Sequence, residues 1–111
     1  MKFDWAAIPP YECSNCISSY HLYLLRIKNI NEGQRDRMIQ LLSEEGVGVN
    51  VHYIPMPLLT LFKNIGYSIE KYPVTYNLYC NEITLPVYNG LTIDQLEHVT
   101  NSVIKAYNSL K

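Results

Sequence analysis

The sequence lacks the short patterns that identify most catalytic sites. It contains no glycine-rich phosphate loop, because Gly46 and Gly48 fit a helix end and a strand position instead. Neither a G-x-S-x-G nucleophile motif nor an H-E-x-x-H zinc motif occurs. A Schiff-base lysine needs an apolar pocket that lowers its pKa, whereas the lysines occupy polar or terminal positions: Lys2, Lys28, Lys63, Lys71, Lys105 and Lys111. On its own residues, the chain does not have the groups of a complete enzyme.

The chain also has little excess charge of either sign. Its formal net charge is −1, from nine Lys and Arg against ten Asp and Glu. Nucleic acids and anionic membranes bind basic patches, and the nearest approach to one, Arg35 with Arg37, is predicted to lie on a solvated helix face. No apolar run approaches the roughly 20 residues of a membrane-spanning helix, and we find no signal-peptide pattern. We therefore expect no nucleic-acid or membrane partner and a cytoplasmic location.

Cysteine is scarce, with only Cys13, Cys16 and Cys80. An odd count without a secretion signal argues against a disulfide framework. The C-x-x-C spacing of Cys13 and Cys16 leaves two alternatives open, a metal or redox site and incidental thiols in a loop. A structural zinc site needs four ligands, commonly two such pairs. Because the second pair is missing, the incidental thiols are the favoured interpretation, and the role of the two residues stays open.

The composition is that of one ordinary globular domain, with 111 residues of which 48% are apolar. Ten tyrosines favour a chain that packs against something. Residues 1–19 carry prolines and serines without lasting periodicity, which indicates an extended lead-in or interdomain segment. Phe3 and Trp5 precede any predicted element that could cover them. Residues 20–111 are predicted to form the small α+β domain.

Hydrophobic periodicity predicts strands at Tyr20–Lys28, Val47–Val51 and Ile83–Val87. Helices are predicted at Asn31–Glu45, Pro57–Ile65 and Pro73–Cys80, followed by a long final helix after Thr92. Capping boxes are predicted at the starts of the first and last helices, and the last helix carries an apolar stripe: Asn31 with Gln34, Thr92 with Gln95, and Leu96, Val99, Val103, Tyr107 and Leu110. The expected fold is α+β, a sheet of about three strands with helices packed on one face.

The candidate binding residues are His52 and Tyr53. They follow the predicted strand Val47–Val51 and precede a loop that Pro55 and Pro57 stiffen. Two large side chains with hydrogen-bonding ends are thus held on both sides, so they lose little freedom when a ligand binds. The same pattern is also typical of a strand-to-loop corner with no site at all.

Three segments occur in an order that is informative: Tyr20–Arg26 (YHLYLLR), Val51–Pro55 (VHYIP) and Leu85–Thr92 (LPVYNGLT). Together they resemble the C-terminal small domain of the DegT/DnrJ/EryC1/StrS family, the sugar-nucleotide aminotransferases that use pyridoxal phosphate. The resemblance covers roughly residues 8 to 110. It implies the small domain of an aspartate-aminotransferase-type (fold type I) enzyme. The implied reaction moves an amino group, from glutamate, to a nucleotide-linked keto-sugar in cell-surface polysaccharide or amino-sugar biosynthesis.

The resemblance further implies a missing N-terminal large domain that carries the cofactor lysine. The chain would then be inactive alone and would bind no pyridoxal phosphate by itself, while the full-length parent would bind it and form a homodimer. His52 and Tyr53 match the family's H-Y-x-P step and are the implied nucleotide-sugar contacts. Many relatives have a histidine at the position of Pro57, so the sugar stays open.

Two alternatives belong to other classes. One is a stand-alone α+β module without catalytic activity that binds a partner or small ligand through His52 and Tyr53. The other is a metal- or thiol-using protein built on Cys13 and Cys16.

Overall fold

The computed structural model describes residues 3–110 of the chain. Met1, Lys2 and Lys111 lie outside the described residues. The predicted polar or terminal positions of these two lysines therefore remain predictions. The strands are β1 (Ala6–Ala7), β2 (Glu12–Cys13), β3 (Cys16–Ile17), β4 (Tyr23–Ile27) and β5 (Glu82–Leu85). The α-helices are α1 (Glu32–Glu44), α2 (Thr60–Asn64), α3 (Pro73–Cys80) and α4 (Ile93–Asn108), and short 3-10 turns lie at Met56–Leu58 and Ile69–Lys71.

The main sheet has three antiparallel strands in the order β1-β4-β5. Tyr23 lies opposite Leu85, and Ala6 lies opposite Ile27. The expected α+β fold with a three-stranded sheet is therefore confirmed. The predicted bounds of α3 agree with the structure, whereas β4 and β5 are each shorter than the predicted strands.

The third strand is not the predicted one. Val47–Val51 makes a single bridge to the sheet, in which Asn50 and Thr84 exchange two backbone hydrogen bonds of 3.2 and 2.8 Å. Just beyond it, the backbone N–H of His52 donates to the Glu82 carboxylate at 3.0 Å rather than to a strand carbonyl. The ladder therefore stops after one pair, because a side chain has taken the next backbone donor.

Residues 3–17 supply regular structure that their composition did not indicate. Ala6–Ala7 takes the edge of the sheet beside β4, and Lys28 N–H donates to the Trp5 carbonyl at 2.7 Å. β2 and β3 form a small exposed hairpin, in which Cys13 lies opposite Cys16. A disulfide joins these two cysteines. The expectation of two free thiols is wrong, because the hairpin register brings residues three apart into cross-strand contact.

The core lies between one face of the sheet and helices α1 and α4. Successive strand residues point to opposite faces, so Leu25, Ile27 and Ile83 share the inner face. They pack against Met38, Leu42, Val103 and Ala106 from the two helices. Val99, Tyr107 and Leu110 of the predicted stripe pack at its margin. Leu96 does not, and it is 44% exposed.

Both predicted capping boxes are present, and they define where α1 and α4 begin. Asn31 accepts from Gln34 N–H at 2.9 Å, and the Gln34 side chain accepts from Asn31 N–H at 3.0 Å. Thr92 and Gln95 make the same reciprocal pair at the start of α4. At the start of each of these two helices, two backbone N–H groups that the helix leaves unpaired are thus satisfied. Gly46, with φ +77°, follows α1 in the left-handed conformation that glycine adopts without strain.

Arg35 is buried, whereas it was predicted on a solvated face with Arg37. Its exposed fraction is 2%, while Arg37 is exposed. The guanidinium donates to the Tyr79 carbonyl at 2.9 Å and to Asp36 at 2.6 Å, and it lies 4.7 Å from the Tyr79 ring centre. Burial opposes the charge, but the interactions of the guanidinium with the Tyr79 side chain and with Asp36 outweigh it and raise the pKa of Arg35 above its ordinary value. The sequence-based placement of Arg35 is wrong because a local pattern does not show that Tyr79 of α3 packs over this side chain.

The predicted helix Pro57–Ile65 is divided between the turn at Met56–Leu58 and α2. Two of its apolar side chains are largely uncovered by the described residues, since Leu61 is 66% exposed and Ile65 is similarly open. Among residues 3–110, no helix is long and apolar enough to cross a membrane.

Candidate functional site

His52 lies at the end of an extended segment beside β5. Val47 of that segment is buried, and Val49 and Val51 are half-buried, as their alternation predicts. The segment is fixed to the sheet through the bridge between Asn50 and Thr84. His52 is consequently placed against the outer face of the sheet, opposite the core helices.

Three side chains form a chain of hydrogen bonds on that face. Thr84 Oγ1 donates to Glu82 Oε1 at 2.5 Å, and His52 Nδ1 lies 2.8 Å from Thr84 Oγ1. Glu82 Oε2 accepts from the His52 backbone N–H. Glu82 and Thr84 are each only 5% exposed. Both oxygens of the buried carboxylate are therefore bonded, and the imidazole is held by its side chain and its backbone together.

The imidazole borders two clefts. The larger, about 450 Å³, lies between the outer sheet face (Leu24, Arg26, Glu82) and α3, and it also contains His52 and Tyr53. The smaller, about 250 Å³, is bordered by a separate set of residues with His52: His21, Leu22, Asn50 and Thr84 among them. Arg26, which lies opposite Glu82 in the strand register, places a guanidinium in the larger cleft beside the Glu82 carboxylate.

Tyr53 is the second predicted binding residue, and the structure places it next to the first. Its ring meets the imidazole edge-on, with ring centres 4.7 Å apart and planes at 86°. It is 73% exposed. Pro55 and Pro57 behind it are buried, so the loop is anchored while the phenol faces outward. His52 and Tyr53 together provide two hydrogen-bonding groups at the margin of the larger cleft.

Sequence analysis did not single out Glu82, Thr84 or Arg26. The segment Glu82–Leu85 alternates polar and apolar residues, which places Glu82 and Thr84 on one face and Ile83 on the other. That alternation was the available signal. Nothing local showed that this polar face meets His52, because the partners are 30 and 32 residues apart.

The described residues do not fit a complete pyridoxal-phosphate site. Lys28, Lys63, Lys71 and Lys105 are all exposed, and none borders the larger cleft. A lysine that holds this cofactor lies in a desolvated pocket. Residues 3–110 also contain no group of three or more His, Cys, Asp or Glu side chains arranged for a metal ion.

Comparison with known proteins identifies the family. Residues 6–104 match the DegT/DnrJ/EryC1/StrS aminotransferase family. An uncharacterized protein of Methanocaldococcus jannaschii is 36% identical over 90 residues, covering 78% of this chain and 23% of that protein. The spore coat polysaccharide biosynthesis protein SpsC of Bacillus subtilis is 29% identical over 99 residues, covering 86% of this chain and 25% of SpsC.

Solved structures agree with the sequence relatives. A protein of Streptococcus pneumoniae named as a sugar aminotransferase, in its pyridoxal-phosphate form, superposes with a TM-score of 0.93 at 31% identity. The match covers 96% of this chain and 27% of that one. The chain therefore spans about a quarter of the length of the relatives that it matches. Because the family match extends over most of the sequence, the chain belongs to the DegT/DnrJ/EryC1/StrS aminotransferase family.

Proposed function

We propose that this chain is the C-terminal domain of a longer pyridoxal-phosphate-dependent aminotransferase. The whole enzyme transfers an amino group, from glutamate, to a nucleotide-linked keto-sugar for amino-sugar or cell-surface polysaccharide biosynthesis. The observation that carries the proposal is the pair His52 and Tyr53 at the margin of the larger cleft, where Glu82 and Thr84 hold His52 and the Tyr53 ring packs on the imidazole. This arrangement occurs in a chain that belongs to the aminotransferase family.

The residues of this chain have the chemistry of a nucleotide-sugar contact. An imidazole and a phenol form hydrogen bonds with sugar hydroxyls or phosphate oxygens. Arg26 in the same cleft adds a permanent positive charge that suits a diphosphate. We assign substrate binding to His52 and Tyr53 and no catalytic step to this chain.

The cofactor belongs to the part of the enzyme outside this chain. Pyridoxal phosphate bound there would supply the group that carries the amino nitrogen between the two substrates. The exposed lysines of the described residues support the assignment of the cofactor lysine to an N-terminal large domain. On this proposal the chain is inactive alone and has the architecture of a fold type I small domain, with residues 1–19 as the crossing segment and residues 20–111 as the domain. The parent enzyme is a cytoplasmic homodimer.

The exposed apolar surface supports a covering partner. Met56, Leu61 and Ile65 lie on one segment and are each more than half exposed. Patches of this kind mark interaction surfaces in soluble proteins. We assign this surface to the contact with the large domain or with the second subunit.

The test begins with the size of the native polypeptide in the source cells, detected with an antibody against this chain. We expect a band several times larger than 12.9 kDa. That polypeptide, purified and supplied with pyridoxal phosphate, glutamate and a UDP- or dTDP-linked 4-keto sugar, should form the amino sugar. A band at 12.9 kDa, or a larger protein that transfers no amino group to either sugar, would overturn the proposal. The smaller band would favour the stand-alone binding module.

A further inference from the structure

The hydrogen bonds around His52 specify where its proton lies. An ionised carboxylate only accepts hydrogen bonds, and a threonine hydroxyl has one proton to give. Thr84 gives that proton to Glu82 Oε1. The Thr84 oxygen can then only accept from His52 Nδ1, which lies 2.8 Å away. In the neutral imidazole the single proton is therefore on Nδ1, and Nε2 carries a lone pair.

We propose that Glu82 and Thr84 are positioning residues that hold His52 in its Nδ1–H tautomer, so that Nε2 accepts a hydrogen bond from a sugar hydroxyl of the ligand. Within residues 3–110, Nε2 of His52 has no hydrogen-bond partner in the protein. The imidazole borders both clefts, so its unbonded edge is available to a ligand there. The tautomer follows from the geometry alone, whereas the assignment of a sugar hydroxyl as the partner of Nε2 rests on the proposed function.

The tautomer restricts what His52 can recognise. A neutral Nε2 with a lone pair repels phosphate oxygens, which are acceptors, and bonds groups that donate. Hydroxyl and amino groups of a sugar are such donors. Charge recognition of the diphosphate then falls to a cation, and Arg26 occupies the same cleft. On this proposal His52 contacts the sugar and Arg26 contacts the phosphates.

Burial is what makes the positioning effective. Glu82 and Thr84 are almost entirely removed from water, so solvent does not compete for their hydrogen bonds. Glu82 also accepts the His52 backbone N–H, which fixes the residue relative to β5. Loss of the Thr84 hydroxyl would leave Nδ1 without its acceptor, while the isosteric methyl group of valine would preserve the packing of the strand.

The test is nitrogen NMR of the imidazoles in this chain at a pH of about 8, where ordinary imidazoles are neutral. His98 is an internal control, because its Nε2 lies 2.9 Å from the Glu45 carbonyl, which only accepts. We expect His98 to be protonated on Nε2 and His52 on Nδ1 in the same spectrum. Thr84→Val should shift His52 toward the Nε2–H tautomer, and Thr84→Ser should restore Nδ1–H.

The wild-type spectrum is decisive without any variant. If His98 shows its expected tautomer and His52 is protonated on Nε2, the positioning role is wrong. If Thr84→Val retains the wild-type backbone amide spectrum and His52 stays protonated on Nδ1, the role of Thr84 is wrong.

The proposed hydrogen bond from a sugar hydroxyl to His52 Nε2 is tested with two probes, UDP and UDP-N-acetylglucosamine. We expect the His52 Nε2 resonance to move with the nucleotide sugar and to stay in place with UDP alone. An equal movement with UDP would make phosphate the partner and overturn the hydroxyl assignment, as would no movement with either probe. Neither measurement uses the cofactor or amino transfer. A correct tautomer with an inactive native enzyme would therefore refute the proposed function and leave the positioning role intact.

Discussion

Trp5 stacks on Tyr107, with ring centres 4.1 Å apart and ring planes at 12°. Phe3 also packs against Trp5, with ring centres 5.3 Å apart. The contact joins the residues before β1 to the end of α4, so the aromatic residues that precede the first strand are half-buried. It also explains how a strand of only two residues holds its place at the sheet edge, because aromatic packing supplements its few backbone bonds.

Removal of the stacked ring should loosen this attachment. We expect Tyr107→Ala to lower the free energy of unfolding by about 1–3 kcal/mol, from lost aromatic packing and burial. Trp5 is the only tryptophan, so its fluorescence emission should move to longer wavelength as water reaches it. Urea denaturation and emission spectra measure the two effects. Tyr88→Ala, at an exposed tyrosine, is the control, and an unchanged Trp5 emission in Tyr107→Ala would contradict the stacking.

The core and the uncovered apolar surface should respond differently to the same substitution. Leu42→Ala removes a fully buried side chain and should cost about 2–5 kcal/mol of unfolding free energy, from lost transfer energy and a cavity. Leu61→Ala, at a leucine that is mostly exposed, should stay within about 0.5 kcal/mol of the wild type. Urea denaturation of the isolated chain measures both. Equal losses would mean that α2 is covered in solution.

The ion pair between Glu45 and Lys105 links the end of α1 to α4. The hydrogen bond and positive charge of Lys105 lower the pKa of Glu45 below its ordinary value of 4.5. Below 4.5 the unfolded state takes up the proton first, so stability falls as the pH drops through the lower folded-state value. The contribution is fully present above the unfolded value. We expect it to be small, because the pair reaches solvent and salt screens it.

Glu45→Gln should therefore flatten the acid side of the stability profile. The measurement is the urea midpoint between a pH of about 6 and a pH of about 3 at low salt, where exposed ion pairs are least screened. Glu44→Gln is the matched control, because this neighbouring carboxylate is more exposed and lies 3.9 Å from Arg37. If the urea midpoint of Glu45→Gln fell more steeply with acid than that of the wild type, the stabilising effect of the lowered Glu45 pKa would be contradicted.

On the proposed function, substitution of His52 should weaken nucleotide-sugar binding in the longer enzyme. One lost hydrogen bond of about 1 kcal/mol predicts that His52→Ala raises KM for the nucleotide sugar about fivefold, with a smaller change in kcat. KM for glutamate should not change. Steady-state kinetics with each substrate varied in turn measures this, and His98→Gln is the control at a histidine outside both clefts. An increase confined to the KM for glutamate would mean that His52 contacts glutamate and not the nucleotide sugar.

Much of the fold could be predicted from short segments. Asn31 with Gln34 and Thr92 with Gln95 predicted where helices begin, because the hydrogen bonds of a capping box join residues three apart. The position of His52 and Tyr53 between a half-buried extended segment and a proline-containing loop could also be predicted, since Pro55 and the valine alternation are local features. The predicted strand Val47–Val51 failed because the Glu82 carboxylate takes the His52 N–H that the ladder would need, and the local pattern contains no information about that distant side chain.

The sequence by itself determined helices α1, α3 and α4, the caps of α1 and α4, and the turn at Gly46, because these depend on torsional preferences and hydrogen bonds within a few residues. The tertiary structure decided which segment became the third strand, whether Arg35 met water or Tyr79, and which buried groups oriented His52. Those outcomes depend on partners far apart in the sequence, from the pairing of Ala7 with Arg26 in the sheet to the contact of Arg35 with Tyr79, which are 44 residues apart. Such contacts form only when the chain has collapsed around a shared core, where burial makes each polar group find a partner or destabilise the fold.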